Sequence, residues 1–257
     1  MSLDGKTALI TGGGRGIGAA AAYALATAGA TVAVAARNES QVVDVAGQLR
    51  EKGLEAFAFR CDVTDPQQVR DMTLSANEAM GRIDILINNA GTATSNPIGQ
   101  IKLAEWDHIM AVNATGTFLC TQAVMDSMVS RGWGRIINIA SIAGLEGGRY
   151  IAAYTAAKHA VVGFTRCAAI ETRGRGVTVN AICPGYVDTP LTDETIARIM
   201  SRTNKSWHDA MQAILEQSGQ SRLIRADEVA EQVLRLSDDE AVDISGECIV
   251  LDGKDTP

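Results

Sequence analysis

Two residues that can exchange a proton, Tyr154 and Lys158, lie four positions apart in a predicted helix. Residues at this spacing share one helix face. A free tyrosine has a pKa near ~10 and is a poor base at neutral pH, but a nearby ammonium favours the phenolate and lowers that pKa. Such a tyrosine can give a proton to a carbonyl oxygen or take one from an alcohol. Alone, this spacing also fits an ordinary surface pair, so its meaning depends on the residues that accompany it.

A glycine-rich segment follows the first apolar run and precedes an alanine-rich helix. It reads Thr11-Gly12-Gly13-Gly14-Arg15-Gly16-Ile17-Gly18. Glycines permit a tight turn and a close backbone approach to a pyrophosphate, and the following helix N-terminus offers unpaired N–H groups. A plain tight turn is the alternative, but the position between a strand and a helix favours a dinucleotide site.

The elements that position these residues alternate along the chain. The predicted strands are 7–11, 31–35, 55–60, 83–88, 134–139, 177–183 and 247–251, and the predicted helices are 17–28, 39–52, 66–80, 105–130, 152–173 and 227–236. Strands that are apolar throughout and joined by long helices indicate a parallel sheet with helices on both faces. We therefore expect an α/β fold with a doubly wound, Rossmann-type sheet of about seven strands, in a single domain over residues 1–257.

Residues 189–223 interrupt this alternation. They read as a helical insertion before the last helix and strand, with Ser206 and Asp209 in the pattern of a capping box. Trp207, Ile214 and Leu215 then fall on one helical face. The insertion is either a helical hairpin that covers the core or a lid over a substrate pocket.

Composition limits the function classes. The 257 residues are 46% hydrophobic and 21% charged with a formal net charge of -7, which argues against a nucleic-acid partner. The stretch between Arg15 and Arg37 carries no charge, but its Ala, Gly and Thr content favours a buried helix and strand over a membrane span. The five cysteines are scattered and the three histidines are isolated, so the sequence predicts no metal site. The cysteines are expected to be free thiols in a reducing compartment, the cytoplasm.

Several further motifs occur in a fixed order. They are Asp62-Val63, Asn88-Asn89-Ala90-Gly91, Val112-Asn113, Ser141, the Tyr154 and Lys158 pair, Pro184-Gly185, Val187 and Thr189. Together with the glycine-rich segment, this series resembles the short-chain dehydrogenase/reductase family over almost the whole chain. Within the family, the general sequence is similar to 3-oxoacyl-thioester reductases.

The resemblance implies roles for individual residues. Tyr154 is the acid or base, Ser141 hydrogen-bonds the reacting oxygen, Lys158 also holds the ribose hydroxyls, and Asn113 holds a water that links Lys158 to solvent. The implied cofactor-binding residues are Gly12, Gly14, Arg15, Gly16, Ile17, Gly18, Arg37, Asp62, Val63, Asn89, Ala90, Gly91, Tyr154, Lys158, Pro184, Gly185, Val187 and Thr189. Hydride then moves between the substrate carbon and the nicotinamide.

The end of the second strand bears on the choice of cofactor. An NAD enzyme usually has an acid there to bind the ribose 2′-hydroxyl, whereas this chain has Ala36 followed by Arg37. Arg15 adds a second guanidinium, and guanidinium matches phosphate geometry. The sequence therefore predicts NADP(H). The alternative is that Arg37 is a solvated surface residue, with Glu39 weakening its field.

The substrate is less well defined, because one scaffold serves many carbonyl compounds. The expected pocket residues are Thr92, Thr94, Leu145, Glu146, Tyr150, Ile151, Leu191, Ile196 and Met200. A basic group in and after the insertion either receives phosphates of coenzyme A or of a carrier protein's arm, or is simply solvated; its members are Arg198, Arg202, Lys205, Arg222 and Arg225. The favoured substrate is a 3-oxoacyl thioester, and the alternative substrate is a non-thioester cyclic or aryl ketone or alcohol. The alternative of another class is an inactive dinucleotide-binding sensor or scaffold. The resemblance also implies a homotetramer built through helices 105–130 and 152–173 and the last strand.

Overall fold

Seven strands form one parallel sheet in residues 2–254, the part of the chain that the computed structural model describes. The strands are β1 (Thr7–Thr11), β2 (Thr31–Ala36), β3 (Ala56–Arg60), β4 (Ile85–Asn88), β5 (Gly134–Ile139), β6 (Val177–Pro184) and β7 (Cys248–Leu251). Their order is β3-β2-β1-β4-β5-β6-β7. The predicted doubly wound, Rossmann-type fold is confirmed.

Nine α-helices connect and extend these strands within the described residues. They are α1 (Gly16–Thr27), α2 (Glu39–Glu51), α3 (Pro66–Met80), α4 (Leu103–Met110), α5 (Gly116–Arg131), α6 (Ala152–Glu171), α7 (Pro190–Thr203), α8 (Trp207–Ser218) and α9 (Ala226–Ser237). The single helix expected over 105–130 is wrong, because a π-helical turn at Ala111–Thr115 divides it.

Side chains alternate between two apolar layers because successive strand residues point to opposite faces. Ile10 packs with the apolar faces of α1, α2 and α9, whereas its neighbour Leu9 packs with those of α3, α5 and α6. Both layers are closed by helices, so the strands carry apolar residues on both faces.

A buried polar ladder joins the central strands to the helices beneath the cleft. Asn88 Nδ2 donates to Thr121 Oγ1 and to Asn138 Oδ1, each at 2.9 Å. Asn138 Nδ2 in turn donates to Thr165 Oγ1 at 2.8 Å. These bonds connect β4 and β5 with α5 and α6, and they fix the positions from which the site is built.

The insertion contains α7 and α8. Ser206 caps α8, since its hydroxyl accepts from Asp209 N at 3.1 Å and donates to the Asp209 carboxylate at 2.7 Å. The predicted apolar face is wrong at Trp207, which is 50% exposed, and right at Ile214 and Leu215, which are buried. In the described part of the chain, no helix is both long and apolar enough to cross a membrane.

Candidate active site

Tyr154, Ser141 and Lys158 meet where the carboxyl end of β5 faces α6. Ser141 lies close enough to the Tyr154 hydroxyl to act on the pKa of Tyr154, and it is buried at the cap of a short helical turn. Lys158 is 5% exposed, with its Nζ 5.7 Å from the centre of the Tyr154 ring. The predicted pair therefore shares one helix face that looks onto the strand end.

Burial dominates the electrostatics of this group. Removal from water raises the pKa of Tyr154 to about 12, against which the hydrogen bond from Ser141 acts. Removal from water also lowers the pKa of Lys158 to about 8, and its ammonium donates to Ile139 O at 2.7 Å. Burial therefore dominates the pKa of Tyr154 in this structure, and the lowering expected from Lys158 stays a prediction.

Asn113 lies in the π-helical turn between α4 and α5 and is 1% exposed. Its Nδ2 donates to Thr92 O and to Ile109 O, each at 2.9 Å, and its Oδ1 accepts from Thr92 N at 3.3 Å. The side chain therefore holds the segment after β4 against the helix. One Oδ1 lone pair stays available, so a water-holding role remains a prediction.

The glycine-rich loop turns sharply between β1 and α1. Gly12 and Gly16 have φ of +64° and +55°, a region that favours glycine. A Cβ on Gly14 would lie 2.7 Å from Gln41 Cβ. Arg15 precedes α1 without capping it through its side chain, so the helix N–H groups face the cleft.

Gly18 does not line the cleft. A Cβ there would lie 2.4 Å from both Asn89 Nδ2 and Gly12 O. Asn89 Nδ2 donates to Thr11 O and Gly12 O, each at 3.0 Å. Gly18 therefore makes room for the amide that ties the end of β4 to the loop, and it acts on the cleft only through this packing.

A cleft of about 620 Å³ runs along this loop. Its walls include, among the predicted cofactor residues, Gly12, Gly14, Arg15, Gly16, Ile17, Arg37, Asp62, Val63, Asn89, Ala90, Gly91 and Thr189. Close backbone approach at a bare helix N-terminus fits a dinucleotide pyrophosphate. The residues present therefore fit a nicotinamide dinucleotide.

Two arginines, Arg15 and Arg37, line this cleft. Arg37 is exposed beside Ala36, where no carboxylate is present at the strand end. Arg15 Nη2 lies 2.9 Å from Glu194 Oε1 of α7, an ion pair that the sequence did not indicate. Asp62 Oδ1 accepts from Thr64 N at 3.0 Å, which fixes its backbone at the cleft wall.

A second cavity, of about 230 Å³, opens beside the cleft. Its walls contain the remaining predicted functional residues, namely Asn113, Ser141, Tyr154, Lys158, Pro184, Gly185 and Val187. The two cavities share Ile17, Asn89, Gly91, Thr189 and Leu191 as walls. The tyrosine group thus lies next to the place where the dinucleotide cleft ends.

The prediction of the substrate pocket was partly correct. Thr92, Thr94, Glu146, Ile151 and Leu191 line the smaller cavity. Four expected residues, Leu145, Tyr150, Ile196 and Met200, are not among its walls. Ile196 and Met200 pack against α8 instead, and Tyr150 is nearly half exposed. The cavity also includes Tyr186, Thr195, Gln217 and Ser218, which the sequence analysis missed.

Gln220 is another missed residue, and it shapes the segment after β6. Its Oε1 accepts from Tyr186 N at 2.7 Å, and its Nε2 donates to Tyr186 O at 3.1 Å and to Arg222 O at 3.2 Å. A Cβ on Gly185 would lie 2.4 Å from Gln220 Oε1. The signal available in the sequence was a single glutamine in an insertion, which predicts nothing without the fold.

Two of the five members of the expected basic group, Arg222 and Arg225, are paired with carboxylates. Arg222 forms two hydrogen bonds of 2.8 Å with the Glu228 carboxylate, and Arg225 pairs with Asp227 at 2.9 Å. Arg202 donates to Ser95 O. Arg198 lines the smaller cavity. These contacts weaken the argument for a phosphate-binding surface on the insertion.

Known proteins of similar sequence and structure agree with this geometry. A family model described as short chain dehydrogenase matches residues 6–199. The D-beta-hydroxybutyrate dehydrogenase of Rhizobium meliloti (strain 1021) is 38% identical over 255 residues, covering 96% of this chain and 97% of that protein. The 3-oxoacyl-[acyl-carrier-protein] reductase FabG of Salmonella typhimurium is 36% identical over 253 residues, covering 98% of each.

The structural comparison gives the same family. The crystal structure of an actinorhodin polyketide ketoreductase with NADPH has a TM-score of 0.92 at 34% identity, covering 96% of this chain and 95% of that one. The fold, the ordered motifs and the full-length similarity therefore all indicate one family. The chain belongs to the short-chain dehydrogenase family, oxidoreductases that bind a nicotinamide dinucleotide and interconvert carbonyl and alcohol groups by hydride transfer.

Proposed function

We propose that this protein interconverts a ketone and a secondary alcohol with NADP(H), and that Tyr154 transfers the proton. The observation that carries the proposal is that Tyr154, Ser141 and the buried Lys158 together line the cavity that adjoins the dinucleotide cleft.

The chain's own residues supply binding and proton transfer. Ser141 and the Tyr154 hydroxyl both donate to the carbonyl oxygen, which polarises it. Tyr154 gives its proton to that oxygen in reduction and takes it back in oxidation. The Lys158 ammonium favours the phenolate that remains, and it would hold the ribose hydroxyls of a bound cofactor. When bound, the nicotinamide supplies or accepts the hydride.

The choice of NADP(H) over NAD(H) rests on the adenosine end of the cleft. Arg15 and Arg37 line it, and Ala36 leaves the strand end without a carboxylate. A guanidinium fork suits a 2′-phosphate. The actinorhodin ketoreductase, a relative of the same fold, was crystallised with NADPH.

The substrate class that we favour is a 3-oxoacyl thioester of coenzyme A or a carrier protein. Its support is the similarity to a 3-oxoacyl-[acyl-carrier-protein] reductase and the mainly apolar inner walls of the smaller cavity, such as Ile139, Ile142 and Ile151. A non-thioester ketone or alcohol is the second candidate, because two members of the basic group expected to hold phosphates, Arg222 and Arg225, are paired with carboxylates.

The larger-scale assignments are part of the same proposal. The proposed single domain covers residues 1–257, of which residues 1 and 255–257 lie outside the described part. Residues 189–223 act as a lid, since α7 contributes Leu191 and Thr195 to the cavity walls. Self-association into a homotetramer uses the exposed faces of α5 and α6 together with β7. The five cysteines are free, which fits a reducing compartment, and we propose the cytoplasm.

Turnover of a carbonyl panel tests the proposal. We expect NADPH-dependent reduction of an acetoacetyl thioester, measured beside cyclic and aryl ketones, and NADP-dependent oxidation of the matching alcohol. Tyr154→Phe removes the proton donor and should lower kcat by at least ~1000-fold, with the NADPH dissociation constant changed by less than about two-fold.

Tyr23→Phe is the matched control. Its hydroxyl bonds to Gln48 on the exposed side of α1, so the same atom is removed without effect on kcat. If the wild-type protein binds NADPH but turns over no member of the panel, the chain is a dinucleotide-binding sensor or scaffold and the proposal is wrong. Reduction confined to simple ketones would select the second substrate class.

A further inference from the structure

An ion pair joins the glycine-rich loop to the insertion. Arg15 Nη2 lies 2.9 Å from Glu194 Oε1, and each side chain is 48% exposed. Arg15 belongs to the wall of the dinucleotide cleft, whereas Glu194 belongs to α7, which begins at Pro190. One guanidinium therefore faces both the cofactor site and the helix beside the substrate cavity.

The start of α7 is held close to this loop by packing. A Cβ on Gly16 would lie 3.2 Å from Thr189 Cγ2, and Thr189 and Leu191 line both cavities. Glu194 follows about one turn later, and its carboxylate lies beside Arg15, a wall residue of the cleft. This contact places an acid next to the adenosine end although β2 ends without one.

The charge of the cofactor decides what this carboxylate does. A phosphate monoester carries about −1.5 to −2 at pH 7 and takes up the paired N–H groups of a guanidinium. Glu194 uses one of those donors on Arg15 and repels the phosphate. A ribose 2′-hydroxyl has no charge and does not compete. The carboxylate therefore opposes NADP(H) and leaves NAD(H) nearly unaffected.

We propose that Glu194 is a specificity-determining residue that competes with the cofactor's 2′-phosphate for Arg15. Its effect is to reduce the preference for NADP(H) that Arg15 and Arg37 create. The inference rests on the proposed function only in locating the 2′-phosphate at these two arginines. It also explains how a chain with no acid at the end of β2 still carries a negative group at the adenosine site.

Binding of small adenosine probes tests the inference without turnover. Adenosine 2′,5′-bisphosphate carries the 2′-phosphate and 5′-AMP lacks it, and both are titrated by calorimetry at low salt. Glu194→Gln should bind the bisphosphate about three- to five-fold more tightly, the range expected for an exposed ion pair. Its affinity for 5′-AMP should stay the same, and the gain should shrink in high salt because exposed charges are screened.

Asp193→Asn is the matched control. Asp193 is the exposed neighbour on the same helix turn, so its loss changes the net charge equally without touching Arg15. We expect no selective gain in this variant. In an Arg15→Gln background, Glu194→Gln should also give no gain, since the coupling requires both partners.

The outcomes separate this inference from the proposed function. If Glu194→Gln behaves as Asp193→Asn does, or if it tightens both probes equally, Glu194 does not compete for Arg15 and the inference is wrong. If the wild-type protein binds NAD(H) more tightly than NADP(H), the proposed cofactor preference is wrong. A selective gain for the bisphosphate in Glu194→Gln would still support the role of Glu194.

Discussion

Lys158 carries an ammonium into a site where only 5% of its surface is exposed. One backbone carbonyl, that of Ile139, accepts from it at 2.7 Å. Burial disfavours the charged form and lowers the pKa of Lys158 to about 8. At pH 7 most molecules therefore still carry the proton on Lys158. A buried charge with few partners destabilises the fold, so this lysine is retained at a cost to stability.

Replacing Lys158 by Met should stabilise the cofactor-free protein. At pH 7 we expect the free energy of unfolding to rise by roughly 1–2 kcal/mol, because about 3 kcal/mol of charge burial is removed and about 1 kcal/mol of hydrogen bonding to Ile139 is lost. Turnover should fall at least ~100-fold in the same variant. Urea unfolding monitored by circular dichroism measures the first quantity.

The pH dependence of the free energy of unfolding tests independently whether the buried charge of Lys158 is destabilising. Below pH 8 the ammonium is protonated in folded and unfolded chains, so the gain of Lys158→Met is constant. Between about 8 and the unfolded value of 10.5, the folded wild type releases its proton first and its stability rises with pH. The gain should therefore shrink towards pH 10. A gain that grows with pH, or that appears equally in the exposed Lys102→Met control, would contradict this account.

At the scale of elements, the docking of α1 against β4 depends on the absence of one side chain. Gly18 is buried in the first turns of α1, and the Asn89 amide fills the space beside it. Asn89 holds Thr11 O and Gly12 O at 3.0 Å, so the loop's shape and the helix position are set together. A shift in the packing of α1 would therefore move the wall of the dinucleotide cleft.

Gly18→Ala should displace this loop. Its Cβ would approach Asn89 Nδ2 and Gly12 O to 2.4 Å, which overpacks the site and costs about 1–3 kcal/mol of stability. We expect the NADPH dissociation constant to rise at least ~10-fold, measured by calorimetry. Gly47→Ala in α2, where nothing lies within 4 Å of the added carbon, should instead stabilise by about 0.5–1 kcal/mol. If Gly18→Ala bound NADPH as the wild-type protein does, the packing of α1 would not determine the shape of the cleft.

The sequence predicts regular elements well and their interruptions poorly. Strand periods and helix lengths come from local apolar patterns, and all seven strands were found within about two residues. The π-helical turn at Asn113 adds one residue per turn and barely alters the apolar period, so 105–130 appears continuous. The turn is seen only in the structure, where Asn113 bonds to Ile109 one turn away and to Thr92 far along the chain.

The residues of the candidate site differ in the same way in how well the sequence predicts them. Residues in ordered motifs, such as Ser141 and Tyr154, could be named because the series of motifs, in its order along the chain, resembles a known family. Glu194 and Gln220 could not, because their roles depend on contacts with Arg15 and Tyr186, far away in the sequence. The insertion that carries them has no period tying it to the sheet, so its contacts are defined only by tertiary packing.

At the scale of the whole molecule, α5 and α6 present an apolar surface to solvent. Phe118 of α5 is 42% exposed and Ile170 of α6 is 63% exposed. Phe118 stacks edge-to-face on Phe164, with ring centres 6.1 Å apart. Exposed aromatic residues held rigidly by a neighbour are typical of interface centres. This surface is where we expect copies of the chain to associate.

Phe118→Asp should therefore weaken self-association. A carboxylate at the centre of a desolvated contact costs about 2 kcal/mol or more, which raises the dissociation constant at least ~30-fold. Sedimentation velocity should show a tetramer for the wild-type protein and smaller species for the variant, with circular dichroism unchanged. Leu74→Asp places the same charge on α3 at a side chain that is 62% exposed, and it should leave the tetramer intact. A wild-type monomer at micromolar concentration, or equal dissociation by both variants, would show that the α5–α6 surface does not join copies of this chain.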